Sequence, residues 1–229
     1  MNNFRAAAVL WAVILAAGFS VLLTGCGNKK TEGSKIAAQD EASSVEAKMP
    51  SKKPITEERI YYGFEEDLSG WEIPAWAESK TDYVAKEVSL SKEVASEGGS
   101  SMCVVADFPG DNWTAGLVEI QQYLDLSSYR VISADVYLPA DAPIGLKANL
   151  VLTFGNNWKF VEMNQSVPLE PGKWTTVTAS VEPGSYDWKR VVPDEEFAKD
   201  IRKIAVRVVS NRKPKYSGPI YIDNIRVGR

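Results

Sequence analysis

The segment GPIYIDNIRV, residues 218–227, decides the fold of this chain. Ile220 and Ile222 are separated by one residue, so their side chains lie on the same face of a strand. Ile225 and Val227 repeat this spacing, but the pattern slips by one residue between the two pairs. A β-bulge produces such a slip. We therefore predict a bent strand that closes the domain, pairs with its first strand and turns the carboxylate of Asp223 out of the regular pattern.

The same two-residue period recurs along the preceding sequence, interrupted by turns rich in Gly, Pro, Asn and Asp. Segments with this signal are 59–64, 86–90, 101–108, 118–123, 132–138, 146–154, 177–181 and 201–209. The only helical signal is a turn or two over 194–199, after Pro193. About nine or ten short strands with so little helix predict an all-β fold, a β-sandwich of the jelly-roll type. No internal repeat or second domain is evident.

Charge and composition exclude several classes of function. The chain of 229 residues has a formal net charge of −4, and residues 58–229 alone carry −6. Such a surface disfavours nucleic acid and other polyanions. There is no histidine, which removes Ser-His-Asp and Cys-His catalysis and the commonest metal ligand.

The N-terminus carries an export signal. Residues 6–24 form an apolar run after Arg5, which is typical of a transmembrane helix or of the core of a signal peptide. The tetrapeptide 23–26, Leu-Thr-Gly-Cys, resembles the bacterial lipobox. That resemblance implies a lipoprotein signal peptide over 1–25 and a lipid such as palmitate on Cys26. The alternative is an uncleaved anchor. Both place the domain outside the cytoplasm, on a membrane of the cell envelope.

Residues 26–57 follow as a tether rich in Lys, Glu, Ser and Ala, without aromatic residues or apolar periodicity. Such a composition predicts disorder. A flexible chain of this length would hold the domain roughly 30 Å from the bilayer. With Cys26 lipidated, Cys103 has no disulfide partner and is expected to be a small buried apolar residue.

Four short motifs occur in a characteristic order: FEED with a following Gly-Trp (64–71), GGSSM (98–102), PGKWTTV (171–177) and IYIDNI (220–225). This set resembles the galactose-binding-like β-sandwich of carbohydrate-binding modules, in particular the mannan-binding group attached to bacterial glycanases. The resemblance covers roughly residues 58–228 and supports the predicted fold. It implies a non-catalytic domain that binds a polysaccharide.

The resemblance also implies a structural Ca²⁺ where the first and last strands meet. Its ligands would be the carboxylates of Glu65 and Asp223, with backbone carbonyls from the loop 97–100. Ca²⁺ accepts six to eight oxygen ligands in irregular geometry. Alternatively, the two carboxylates cap turns or pair with Arg59 or Arg226.

Tryptophans supply the candidate binding site. A sugar ring has an apolar C–H face and a fringe of hydroxyls, so it is bound by a flat aromatic ring beside planar polar groups. The resemblance assigns Trp71 and Trp174 to packing. Four others lie in polar loops and are candidates to bind carbohydrate: Trp76, Trp113, Trp158 and Trp188. Alternation predicts that Glu119, Gln121 and Tyr123 face outward on one strand and Asn149 on another. The polar candidates on this outward face are Glu119, Gln121, Asn149 and Arg207. The alternative is that these tryptophans only pack over the sandwich edges.

The sequence thus predicts a membrane-anchored lipoprotein that binds a neutral polysaccharide, mannan or another β-glycan, as a monomer and without cleaving it. An interaction module for a protein partner in the envelope is the alternative, and it requires a continuous apolar patch across Trp76, Trp113 and Trp158. A polysaccharide lyase or glycoside hydrolase is a third reading. Acidic residues are too numerous for any pair of them to indicate a hydrolase site.

Overall fold

The computed structural model describes residues 54–229. The predicted signal peptide, Cys26 and most of the predicted tether lie outside the described residues. Within 54–229 there are eleven strands and one short helix. These are β1 (Glu58–Tyr62), α1 (Ala75–Glu78), β2 (Ala85–Ser91), β3 (Ser101–Phe108), β4 (Trp113–Leu124), β5 (Val131–Tyr137), β6 (Lys147–Phe154), β7 (Lys159–Glu162), β8 (Val167–Pro168), β9 (Trp174–Ser180), β10 (Ile201–Asn211) and β11 (Tyr216–Gly228). None of the described helices is long and apolar enough to cross a membrane.

The strands form two antiparallel sheets. Sheet A has the order β2-β3-β11-β5-β9, with β1 added alongside β11. Sheet B has the order β4-β10-β6-β7, with β8 added alongside β6. A single large cluster of buried apolar side chains from both sheets fills the space between them. The predicted β-sandwich is confirmed.

The closing strand β11 lies at the centre of sheet A and pairs with β1, β3 and β5. Its pairing with the first strand, Arg59 opposite Val227, confirms the predicted closure. The register with β5 shifts between Asp223 and Arg226, and Asn224 has φ of 49°. A residue in this left-handed region at a register shift is typical of a bulge, as the slipped period predicts.

Both halves of the bent strand bury their apolar side chains. Ile220 and Ile222 before the bulge, and Ile225 and Val227 after it, are all buried in the core. Each such side chain stabilises the fold by about 1.5–3 kcal/mol. The bulge therefore keeps both apolar pairs on the inner face of the sheet and directs Asp223 out of the regular alternation.

The helical signal of a turn or two over 194–199 corresponds to a series of turns and not to a helix. Asp194 Oδ1 accepts the backbone N–H groups of Glu196 and Phe197 and closes a series of turns. These turns bury Phe197 without a helix. The one described helix is α1, which begins after Pro74 and covers only four residues.

Candidate functional site

The outward side chains of sheet B form the surface that holds most of the candidate residues; we call it the B face. Strand register places them in rows across β4, β10, β6 and β7. One row is Leu117, Arg207 and Asn149; the next is Glu119, Ala205, Val151 and Glu162; the third is Gln121, Lys203, Thr153 and Phe160. The predicted outward orientation of Glu119, Gln121 and Asn149 is confirmed by this register.

Two exposed tryptophans flank the B face. Trp113 begins β4 and is 38% exposed, and Trp158 lies in the turn after β6 and is 41% exposed. The Trp158 ring contacts that of Tyr123, with ring centroids 6.3 Å apart. Tyr123 follows Trp113 by ten positions along β4, a Cα separation of up to roughly 33 Å in an extended strand. The two tryptophans therefore stand at opposite ends of the face rather than side by side.

Trp113 belongs to an aromatic chain at its end of the face. Its ring centroid is 6.2 Å from that of Tyr83, which is 4.9 Å from that of Trp76. Trp76 is half-buried, packs over a small apolar cluster, and donates its indole N–H to Glu119 Oε1 at 3.3 Å. That cluster consists of Leu117, Val151 and Ala205. Trp76 was expected in a polar loop setting, but it covers the middle of the face.

Arg207 is the central polar group of the B face. It is 6% exposed, and its Nε donates to Asn149 Oδ1 at 3.1 Å while its Nη2 donates to the Glu162 carboxylate. Its guanidinium carbon lies 5.7 Å from the centroid of the Trp113 ring, a cation–π contact. Arg207 and Asn149 thus support the aromatic surface from below and expose little of themselves.

Both carboxylates of the face are held in ion pairs. Glu119 is buried, and its Oε1 accepts a hydrogen bond from Lys203 Nζ at 2.6 Å. Glu162 accepts Lys189 Nζ at 2.7 Å as well as Arg207. Burial acts to raise the pKa of Glu162, but the hydrogen bonds from Lys189 and Arg207 hold the pKa below its ordinary value. A lowered pKa keeps the Glu162 carboxylate ionised, which suits a binding surface rather than acid catalysis.

Trp188 is not part of this surface, so its assignment to the binding site is wrong. It is 2% exposed and belongs to the main core, where its ring lies 5.7 Å from that of Phe197. Its indole N–H donates to the carbonyl of Ser180 at 2.7 Å. This bond satisfies the one polar atom of the side chain, which is why an indole in a polar loop can be fully buried.

Some residues of the face were not predicted. Arg202 lies with its guanidinium carbon 5.1 Å from the Trp158 ring centroid and 5.4 Å from that of Tyr123, and pairs with Asp200. The register of β10 shifts between Ile201 and Lys203, so the alternating pattern gives no indication of where Arg202 points. Tyr123 has the same phase along β4 as Glu119 and Gln121, and this alternation is the signal that identifies it as outward-facing. Tyr83, Glu162 and Lys203 had no comparable signal.

The acidic pair lies at the bend of β11. Asp223 is buried; its Oδ2 accepts the N–H groups of Ser96 and Glu97 at 2.7 and 3.2 Å, and its Oδ1 accepts that of Asn224. Glu65 Oε2 accepts the N–H of Gly99 at 3.0 Å. Burial first, and the negative charge of Glu65 among lesser causes, raise the pKa of Asp223. The two carboxylates therefore bind the same loop.

The oxygen donors here fit a hard cation in their chemistry. Besides the two carboxylates, Asn224 Oδ1 is buried without a hydrogen-bond partner. Carboxylate and amide oxygens are ligands that Ca²⁺ prefers. The loop presents N–H groups to the carboxylates, however, and residues 54–229 contain no cluster of three or more acidic, Cys or His side chains that could hold a metal. Arg226 pairs with Asp135 and Glu58, so the expected alternative partner is engaged elsewhere.

Comparison with known proteins gives this geometry a context. Residues 55–229 match the model of a protein family described as carbohydrate binding module 27. No curated protein matches the sequence.

Solved structures of two carbohydrate-binding modules share the fold. One is a family 27 module of Caldicellulosiruptor saccharolyticus in complex with mannohexaose, with 18% identity, 75% of this chain and 97% of that chain covered, and a TM-score of 0.54. The other is a family 28 module described as specific for non-crystalline cellulose, with 17% identity, coverage of 76% and 96%, and a TM-score of 0.53.

Proposed function

Since this chain belongs to the carbohydrate-binding module 27 family, we propose that its B face binds a neutral β-linked polysaccharide, mannan first among them. The chain is a non-catalytic polysaccharide-binding module, as its family is. The choice of mannan is supported by the family 27 relative whose structure contains mannohexaose. The negative charge of residues 58–229 favours a neutral glycan over an acidic one.

One observation carries the assignment to the B face. Exposed Trp113 and Trp158 flank a surface whose polar groups are already held in place by one another. The indole faces suit the apolar faces of sugar rings, while Gln121 and Lys203 lie between them for hydroxyls. Because the ion pair with Glu119 fixes Lys203 before the ligand arrives, little of its conformational entropy is lost on binding.

The same observation argues against a protein partner on this face. That function requires a continuous apolar patch across Trp76, Trp113 and Trp158. Instead, Trp76 is half-buried and bonded to Glu119, and two partly buried ion pairs interrupt the apolar surface between the two exposed tryptophans. Separate aromatic rings with hydrogen-bonding groups between them suit a glycan chain better than an apolar protein surface.

Affinity electrophoresis in gels that contain soluble mannan, another neutral β-glycan or an acidic glycan tests this proposal. We expect retardation in mannan, less in the other neutral glycan and none in the acidic one. Trp113→Ala and Trp158→Ala should each reduce the retardation. The control is Tyr186→Ala, which removes a still more exposed aromatic ring outside the B face. Equal mobility of the native protein in mannan and in an empty gel would contradict the proposal.

We further propose that Cys26 carries a lipid that anchors the domain outside the cytoplasm. The motif of residues 23–26 and the apolar run before it support this. Shallow glycan sites bind at roughly micromolar strength, and many anchored copies on one polymer would bind far more tightly through avidity. Cells fed an alkyne analogue of palmitate should label the native chain and not Cys26→Ala; label that survives the substitution would contradict the anchor.

For the acidic pair we propose a structural Ca²⁺ held by Glu65 and Asp223. Mutual repulsion of the two carboxylates and the unpaired Asn224 Oδ1 support it. When bound, the ion would neutralise these charges and tie the bend of β11 to the segment after β1.

A further inference from the structure

The outward face of sheet A carries a second set of aromatic rings. Strand register places Tyr221 of β11 opposite Tyr137 of β5, and Tyr137 opposite Trp174 of β9. The ring centroids of Tyr137 lie 6.1 Å from Tyr221 and 5.4 Å from Trp174. Neighbouring strands are about 4.8 Å apart, so this aromatic row crosses roughly 10 Å of the sheet.

Trp174 belongs to this row because it points away from the core. It was expected to pack into the sandwich, but Val177 and Ala179 of the same strand are buried inside and Trp174 has the opposite phase. Trp174 and Tyr137 are half-buried, and Tyr221 beside Tyr137 is 3% exposed. An outward Trp and Tyr packed beside a buried Tyr form a rigid aromatic surface at little cost in side-chain entropy.

A cleft of about 450 Å³ adjoins the row. Tyr137 and Tyr221 line it, and its walls come from residues 93–94, 139–141 and 216–219. The hydroxyl of Tyr221 donates to the Glu93 carboxylate, and that of Tyr216 donates to the carbonyl of Pro219 at 2.7 Å. These bonds fix both rings, so the cleft is formed before any ligand binds.

The charges of the cleft select its ligand. Glu93 and Asp141 are its charged side chains, and no Lys or Arg occurs among its lining residues. Phosphates and uronic acids are disfavoured there, whereas sugar hydroxyls can donate to the carboxylates. Burial and then the charge of Asp141 raise the pKa of Tyr216 to about 12, so its ring stays uncharged at neutral pH.

We propose that the aromatic row and its cleft form a second glycan-binding site, which takes a neutral hexose segment by stacking on Tyr137 and Trp174. It lies on the opposite sheet from the B face, with the buried core between the two. One domain could thus hold two polysaccharide strands, or two stretches of one strand. Such bivalent binding raises avidity without any new contact on the B face.

An isotope-labelled sample of the unaltered protein tests this site without any variant. Backbone amide shifts are mapped while mannohexaose, and separately cellohexaose, is added. We expect two groups of shifting amides: one on sheet B, and one at 135–139, 174–176 and 219–222 of sheet A. Shifts on sheet B alone would overturn the second site and leave the proposed function standing. Shifts on sheet A alone would support the second site and overturn the B face, and no shifts would overturn both.

Substitutions then test whether Tyr137 and Trp174 contact the glycan. Tyr137→Ala with Trp174→Ala should weaken the sheet A response at least tenfold and leave the sheet B response within twofold. Tyr186→Ala, at an exposed ring outside the cleft, is the matched control and should change neither. An unchanged sheet A response in the double variant would overturn the site. Sheet A shifts that appear on dilution of the protein alone would mean that a second copy covers the row, which would also overturn it.

Discussion

The two outer faces of this sandwich reach a binding surface by different routes. On the B face the charged groups lie underneath, with Arg207 and Glu119 buried in ion pairs, and the exposed tryptophans stand far apart at the ends. On sheet A the aromatic rings lie side by side from the central strand β11 to the edge strand β9, and carboxylates line the adjoining cleft. The spacing of the aromatic rings, rather than their number, therefore sets how long a ligand each face can bind.

The largest effect is expected when the tryptophans at both ends of the B face are removed. Trp113→Ala with Trp158→Ala should weaken mannan binding at least 100-fold, since aromatic anchors commonly contribute about 2 kcal/mol each and 1.4 kcal/mol is tenfold. Because the rings are far apart, each single variant should affect long oligosaccharides more than short ones. Titration calorimetry with a length series of oligosaccharides checks this. Equal losses at every length would mean that the two rings act as one platform.

The next largest effect is expected on stability, from the buried polar network beneath the B face. Arg207→Met leaves Asn149 and Glu162 without their shared partner, and breaking a buried ion pair costs about 3–5 kcal/mol. Glu162 retains Lys189 and some solvent contact, so we expect a smaller loss of about 2 kcal/mol in the free energy of unfolding. Urea denaturation measures it. Lys173→Met, which breaks the exposed pair with Glu170, is the control and should change stability by less than about 0.5 kcal/mol.

Asp223→Ala should have a smaller effect on stability. It should not change the amide shifts of sheet B that the glycan causes. It leaves three backbone N–H groups without their acceptor, but it also removes a carboxylate whose burial is unfavourable, so the net loss is about 1 kcal/mol. If Ca²⁺ is bound, EDTA should lower the melting temperature of the native protein and hardly that of Asp223→Ala. An equal effect of EDTA on the melting temperatures of the two proteins would contradict a Ca²⁺ ion at Asp223.

The smallest effect is a pH dependence. The pKa of Glu162 is lowered in the folded state, so its ion pairs stabilise the fold above the ordinary value of 4.5, and this contribution is lost as the pH falls through 4.5 to the folded pKa. Glu162→Gln should therefore lose less unfolding free energy than the native protein between about pH 6 and about pH 3. If the unfolding free energies of the two proteins change in parallel with pH, Glu162 does not stabilise the fold in this way.

Local pattern was sufficient for much of the fold. The slipped period predicted the bulge at Asp223, and alternation predicted which side chains of β4 face outward. It could not predict contacts with distant residues. Trp188 is buried because a carbonyl on β9 accepts its indole N–H, and Arg207 is buried because Asn149 and Glu162, 58 and 45 residues away, satisfy it. Sequence alternation assigns a side chain to a face and leaves open whether a neighbour covers it.

The most direct test of the central claim is calorimetric titration of mannohexaose into the native protein and into Trp113→Ala with Trp158→Ala. We expect saturable binding of roughly micromolar strength to the native protein, and loss of this tight component in the double variant. Binding of equal strength in both proteins, or no heat of binding in the native protein, would contradict it.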